Sequence, residues 1–176
     1  MPIVGMNHAV LFVRDALRSA EFYREVLGFR TVAEMGGGRM VFLQAEGSTN
    51  DHDLGLFSVG DGAGPSTAGR QTVGLYHVSW EVETLDDLER LFDRLAERGS
   101  LVGATDHGAT KAVYARDPDG LEFELTWLVP ADLIDPARDG RDVMRPLDIA
   151  AEKERYGGST RSGVGISTPR PAPVQA

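Results

Sequence analysis

Apolar and polar residues alternate strictly in several short runs of this chain, and they recur at three- and four-residue spacing in two longer ones. In residues 6 to 14, MNHAVLFVR, the alternation places His8, Val10 and Phe12 on one face of a strand and Ala9, Leu11 and Val13 on the other. Asp15 then stands as N-cap to ALRSAEFYREVL, where Ala16, Ala20, Tyr23 and Leu27 share a helical side, and Gly28 ends the helix. FRTVAEM, RMVFLQAE and HDLGLFSV follow as strands, separated by the turn chemistry of GGG and GSTND. Residues 61 to 74, rich in Gly, Ser, Thr and Pro and without a period, read as a connector or mobile loop.

After the connector the order repeats. LYHVSWEVE is a strand, and Thr84 caps LDDLERLFDRLAERG. Leu85, Leu88, Leu91, Phe92 and Leu95 lie on one side of that helix, Gly99 stops it, and SLVGATD, KAVYAR and LEFELTWL are strands. The pattern is βαβββ twice. Superposing His8 on His77 lays Asp15 near Thr84 and Gly28 near Gly99, which points to a duplicated half-domain rather than two unrelated stretches of similar length.

The expected class is therefore α+β: two βαβββ modules, over about residues 5–60 and 74–128, forming one domain within 1–130. With 176 residues and 41% hydrophobic content, the chain is long enough for such a domain. Residues 131–156 mix Pro, Gly and charge around one helical candidate, LDIAAEKERY, and read as a C-terminal arm. Residues 157–176 have the composition of a disordered tail.

Charge and cysteine content narrow the chemistry. A formal charge of −9 repels a polyanion, and no Lys/Arg cluster overrides it, so no nucleic-acid partner is expected. No run approaches the roughly 20 apolar residues of a membrane span and MPIVGMNHAVLFV has no signal-peptide pattern, so a cytoplasmic protein without a membrane partner is expected. There is no cysteine, which leaves His, Asp and Glu as metal donors.

Strand period sets His77, Ser79 and Glu81 opposite Val78, Trp80 and Val82, and Glu122, Glu124 and Thr126 opposite Phe123, Leu125 and Trp127. Each strand has an apolar back, suited to packing under a helix, and a front bearing His or Glu. If the halves pair into a curved mixed sheet around a cavity, His8 and His77 occupy matching places and Glu124 points inward beside them. Two imidazoles and one carboxylate with open positions are the facial triad of non-haem Fe(II), and the same N/O set accepts Mn(II). The position matching Glu124 in the first half is Gly55, which has no side chain to ligate with. The alternative for each histidine singly is an ordinary core or surface residue.

The succession NHAVLFV, HDLGLF, YHVSWEVE, DHG and VYARDPDGLEFEL resembles the vicinal oxygen chelate superfamily, and within it the one-domain extradiol catechol dioxygenases, over roughly residues 5 to 127. The resemblance implies the vicinal oxygen chelate fold, with His8, His77 and Glu124 as metal ligands. It further implies His52 as an acid–base histidine, His107 as a histidine near the substrate oxygens, and Tyr114 as a tyrosine donating to a substrate oxygen. By alternation His52 does not share a face with Gly55, so it belongs at the start of its strand or beside a bulge. The implied reaction is ring cleavage of a catechol-type aromatic diol by O2 at an Fe(II) site, as in aromatic compound catabolism, in a homo-oligomer taken to be a dimer. Two alternatives share the fold. One is a glyoxalase- or fosfomycin-resistance-like isomerase or transferase; the other is a metal-free drug-binding module, which has little reason to hold His8, His77 and Glu124 together.

Overall fold

A computed structural model describes residues 2–3, 5–68, 71–140 and 142–163 of the chain. Along the first half run β1 (Ala9–Val13), α1 (Ala16–Leu27), β2 (Arg30–Met35), β3 (Met40–Gln44) and β4 (Leu54–Ser58). The second repeats the order with β5 (His77–Glu81), α2 (Leu85–Glu97), β6 (Leu101–Asp106), β7 (Thr110–Arg116) and β8 (Glu122–Leu128). A short β9 (Arg145–Pro146) and α3 (Ile149–Tyr156) complete the described elements. The expected βαβββ order thus appears twice. No described helix is long and apolar enough to cross a membrane.

The chain divides into two compact units whose boundaries do not follow the repeat. One runs up to Val78 and takes in Arg116–Glu122; the other holds Ser79–Ala115 and the described residues from Phe123 onward.

In the first unit the strands are ordered β1-β4-β3-β2. The chain passes from β1 through α1, and β1 pairs in parallel with β4, Ala9 facing Leu54 and Val13 facing Ser58. Alternation sends Val13, Val41, Leu43, Leu54 and Leu56 to the buried face, which α1 covers with Ala16, Ala20, Tyr23 and Val26. Each fully buried Leu or Val there stabilises the unit by roughly 1.5–3 kcal/mol. Asp15 caps α1 by accepting from the backbone N–H groups of Leu17 and Arg18, and Gly28, left-handed at φ 76°, closes it.

The turn joining β7 to β8 belongs to this unit. Its Asp119 accepts from the backbone N–H and Nη1 of Arg14 and from Nη2 of Arg18, each at 2.8 Å, while Asp117 accepts from the N–H groups of Asp119 and Leu121. Burial pushes the Asp117 carboxyl up. Burial, and then the neighbouring Asp117 charge, push the Tyr23 phenol well above its ordinary range.

A five-stranded sheet, most of whose residues belong to the second unit, has the order β5-β8-β7-β6-β9. Phe123, Leu125 and Trp127 form the buried back of β8, as the alternation predicts, and α2 buries Leu85, Leu88 and Leu95. Thr84 caps α2 by accepting from Asp87 N–H. The arm is held by charge as much as by apolar contact. Lys111 on β7 is fully buried, with Nζ 2.7 Å from Asp106 Oδ1, 3.1 Å from Glu152 Oε2 and 4.0 Å from Asp139 Oδ1. Arg145 Nε donates to Asp106 Oδ2 at 2.7 Å, Arg138 pairs with Glu152, and Tyr156 O–H donates to Asp139 at 2.9 Å. At the same place the backbone of Gly108 lies so close to Asp139 and Gly140 that an added Cβ would sit 2.5 Å from the Gly140 carbonyl oxygen.

The tail expected over 157–176 begins differently. Trp127 Nε1 donates to the Thr160 carbonyl, Ser162 N–H donates to the Glu83 carbonyl, and Gly163 N–H donates to the Leu128 carbonyl. Residues 164–176 lie outside the described residues.

Replacing Lys111 with Met leaves three carboxylates packed without their central cation and is expected to destabilise the fold by about 3–5 kcal/mol in denaturant unfolding. The Lys111, Gly108 N–H and Arg145 partners outweigh the upward push of burial on Asp106 and hold its carboxyl low. Its contribution is therefore present above about pH 4 and is lost as acid titrates it. The phenols behave oppositely. Burial, then the Asp139 hydrogen bond, push Tyr156 up to about 12, so its contribution is complete below about pH 10 and lost as pH rises through about 12. Absorbance titration is expected to show fewer ionised tyrosines at pH 11 in the native protein than in the denatured chain.

Candidate functional site

His8 immediately precedes β1, and its side chain takes the face that α1 does not cover, together with Val10 and Phe12. That face is open: Val10 is 45% and Phe12 70% exposed. In register with them are Gly55 and Phe57 on β4 and Phe42 on β3. A chain of rings runs along it, Phe12 to Phe57 at 6.4 Å, Phe57 to Phe42 at 5.9 Å, Phe42 to His52 at 5.1 Å, and His52 to His8 at 4.4 Å between centroids. Gly55 makes room for it, since a Cβ there would stand 3.3 Å from Val10 Cγ2 and 3.5 Å from the Phe57 ring.

His52 sits in the bend two residues before β4, which is how it reaches this face out of step with the strand's alternation. Its Nδ1 is 2.8 Å from Asp51 Oδ2, and this hydrogen bond holds the exposed Asp51 carboxyl below its ordinary range. His8 Nδ1 is 2.7 Å from the Asn7 side-chain oxygen. A carboxylate or amide oxygen can only accept, so these contacts favour the Nδ1–H tautomer of each neutral ring, in which Nε2 keeps a lone pair. A cleft of about 340 Å³ lies beside His52, lined by Val32, Ala33, Phe42 and Asp51. A second, of about 250 Å³, is bounded by Phe12, Arg14, Val59, Asp119, Leu121 and residues 63–66 of the connector.

His77 opens β5, half-buried, with its ring 4.7 Å from that of Tyr76. In the second unit Glu124 is half-buried on β8 between Phe123 and Leu125, on the same strand face as Thr126. Thr126 Oγ1 is bonded at 2.6 Å to the Ser79 hydroxyl. His107 lies in the turn between β6 and β7, where its N–H donates to the Thr110 carbonyl, and its Nε2 is 3.0 Å from the Tyr114 phenol oxygen.

Two contacts join candidate residues: His8 with His52 in the first unit, and His107 with Tyr114 in the second. The residues expected to hold a metal are divided, His8 and His77 in the first unit and Glu124 in the second. Among the described residues of either unit no three or more His, Asp and Glu gather into a shell that could hold a metal ion. The donor chemistry itself, imidazole Nε2 with its lone pair kept outward and a carboxylate, suits Fe(II) or Mn(II). Asn7, Asn50 and Asp53 escape the sequence analysis. Asn7 stands next to His8 in NHAV, but nothing in the local pattern distinguishes it from a solvated turn residue.

The family described as Glyoxalase/Bleomycin resistance protein/Dioxygenase superfamily matches residues 5–125. The chain is 27% identical over 147 residues to catechol-2,3-dioxygenase of Bacillus subtilis (strain 168), covering 84% of this chain and 50% of that protein. It is 33% identical over 121 residues to biphenyl-2,3-diol 1,2-dioxygenase 3 of Rhodococcus globerulus, covering 68% and 61%. The chain thus spans about half the length of the curated relatives it matches. Among solved structures, a glyoxylase/bleomycin resistance protein/dioxygenase domain from Frankia sp. EAN1pec is similar with a TM-score of 0.60 and 26% identity, over 73% of this chain and 94% of that one.

Proposed function

We propose, from the premise that this chain belongs to the Glyoxalase/Bleomycin resistance protein/Dioxygenase superfamily, that it is an extradiol-type dioxygenase cleaving an aromatic diol with O2. The ligands we assign are His8, His77 and Glu124, for Fe(II) or Mn(II). What supports the reading is the imidazole pair: the His8 and His52 ring centroids stand 4.4 Å apart, each ring with Nδ1 against an oxygen acceptor, so that one Nε2 is suited to ligation and the other to proton transfer. Two relatives whose names denote dioxygenases of aromatic diols add weight.

The metal, when bound, supplies Lewis acidity and orients diol and O2. The chain's own residues do the rest. His52, with Nδ1–H held by Asp51, accepts a hydroxyl proton from the diol at Nε2 and returns it as the ring opens next to the two hydroxyl-bearing carbons. Tyr114 and His107, already hydrogen-bonded to each other, hold one proton ready for a substrate oxygen that gains negative charge. The apolar rings of Phe42, Phe57 and Phe12 line the face next to the two imidazoles and keep it free of competing charge.

The test is oxygen uptake by protein loaded anaerobically with Fe(II) and challenged with substituted catechols, monitored for a visible ring-fission chromophore. Metal-dependent uptake with the chromophore is the expected result. Metal uptake without oxygen consumption by any catechol would favour an isomerase or transferase, and no metal uptake a drug-binding module. Glu124→Ala is expected to abolish stoichiometric metal binding in a folded protein. His52→Asn is expected to lower turnover by about 10²–10⁴-fold with metal content unchanged.

A further inference from the structure

His8 is the most exposed of the proposed ligands, and an imidazole at a strand's entrance has rotamer freedom that a metal would have to remove. A hydrogen-bonded line of side chains ends on that imidazole. Asn7 presents its side-chain oxygen to His8 Nδ1 at 2.7 Å, and its own amide is oriented by Asn50, whose Oδ1 lies 3.5 Å from Asn7 Nδ2. Asn50 Nδ2 donates to the Asn7 backbone carbonyl at 2.8 Å and to Asp53 Oδ1 at 2.7 Å. Asp53 is buried, and its carboxylate also accepts from Ser48 Oγ at 2.7 Å and from Ala45 N–H at 2.9 Å. The Asp53 carbonyl accepts from Ala9 N–H at 3.0 Å, tying the same residue to the first residue of β1. The line therefore runs from a buried carboxylate, through two amides, to the outer nitrogen of the imidazole.

Closing the β3–β4 connection would account for Ser48, Ala45 and Asn50 on Asp53. It does not account for the Asn7 amide oxygen on His8, which fastens no loop. We propose that Asn7, anchored through Asn50 to Asp53, is a positioning residue for His8: it fixes the Nδ1–H tautomer and aims Nε2 as a metal donor. The inference rests on the metal-centre reading of the preceding subsection. Outer partners of ligating histidines act this way in general, and their loss weakens metal binding by about 10–100-fold.

Asn7→Ala is a clean probe, because the backbone carbonyl that receives Asn50 is retained while the side-chain oxygen on His8 is removed. Mn(II) is titrated into metal-free wild type, Asn7→Ala and Asn7→Asp, with the melting temperature of each metal-free protein measured alongside. The tautomer of His8 is read by nitrogen NMR in the same metal-free samples. The expected result has three parts: a dissociation constant raised about 10–100-fold in Asn7→Ala, an unchanged metal-free melting temperature, and affinity restored in Asn7→Asp, whose carboxylate accepts from Nδ1–H equally well. Equal Mn(II) affinity in wild type and Asn7→Ala overturns the proposal while leaving the metal centre standing. So does a loss of affinity matched by a loss of metal-free stability, which marks a structural role. A wild-type His8 ring protonated on Nε2 overturns the proposal whatever the metal does. Absence of Mn(II) binding by wild type overturns the metal-centre reading and this one with it.

Discussion

A β-strand can show only every second side chain to either face, and much of the arrangement of this chain follows from that constraint. In the first unit Val13, Val41, Leu43, Leu54 and Leu56 go to the side sealed by α1, which leaves His8, Val10 and Phe12 with no choice but the other side. The histidine is therefore displayed by the burial of its neighbours: moving the register by one residue would bury the imidazole and expose the leucines. Phe123, Leu125 and Trp127 set Glu124 on the front of β8 by the same logic.

Where alternation cannot supply order, aspartates do. Asp53 before β4, Asp106 at the end of β6 and Asp119 in the turn before β8 each gather several donors onto one carboxylate. All three sit where a strand starts or stops, where backbone N–H groups have run out of partners and a charged acceptor satisfies them at short distance. They fasten, in turn, the approach to His8, the turn that carries His107, and the entrance to α1. The chemistry-bearing side chains are thus held from strand ends, while the apolar core supplies the planes on which they stand.

This division explains what was legible in the sequence. Helix limits at Asp15, Gly28 and Thr84, and the strands holding His77, Tyr114 and Glu124, are local facts of cap and period, and they fall where the pattern puts them. His52, expected at the start of its strand or beside a bulge, lies two residues before β4. Lys111 gave no such sign. In KAVYAR it reads as the polar start of a strand, and only the approach of Asp139 and Glu152 from a segment far along the chain turns it into a buried cation. The same holds for Asn7 and for β9, whose pairing of Arg145 with Asp106 spans many residues. Long-range polar partnerships leave no periodic trace, because each is a single contact rather than a repeated one.

The placement of Arg116–Glu122 in the first compact unit separates two kinds of boundary that usually coincide. The sequence repeats from one βαβββ stretch to the next, yet the first unit borrows a seven-residue turn from the second repeat, and Arg14 and Arg18 depend on the carboxylate it brings. A gene fragment ending in the connector would encode a complete first repeat but an incomplete first unit.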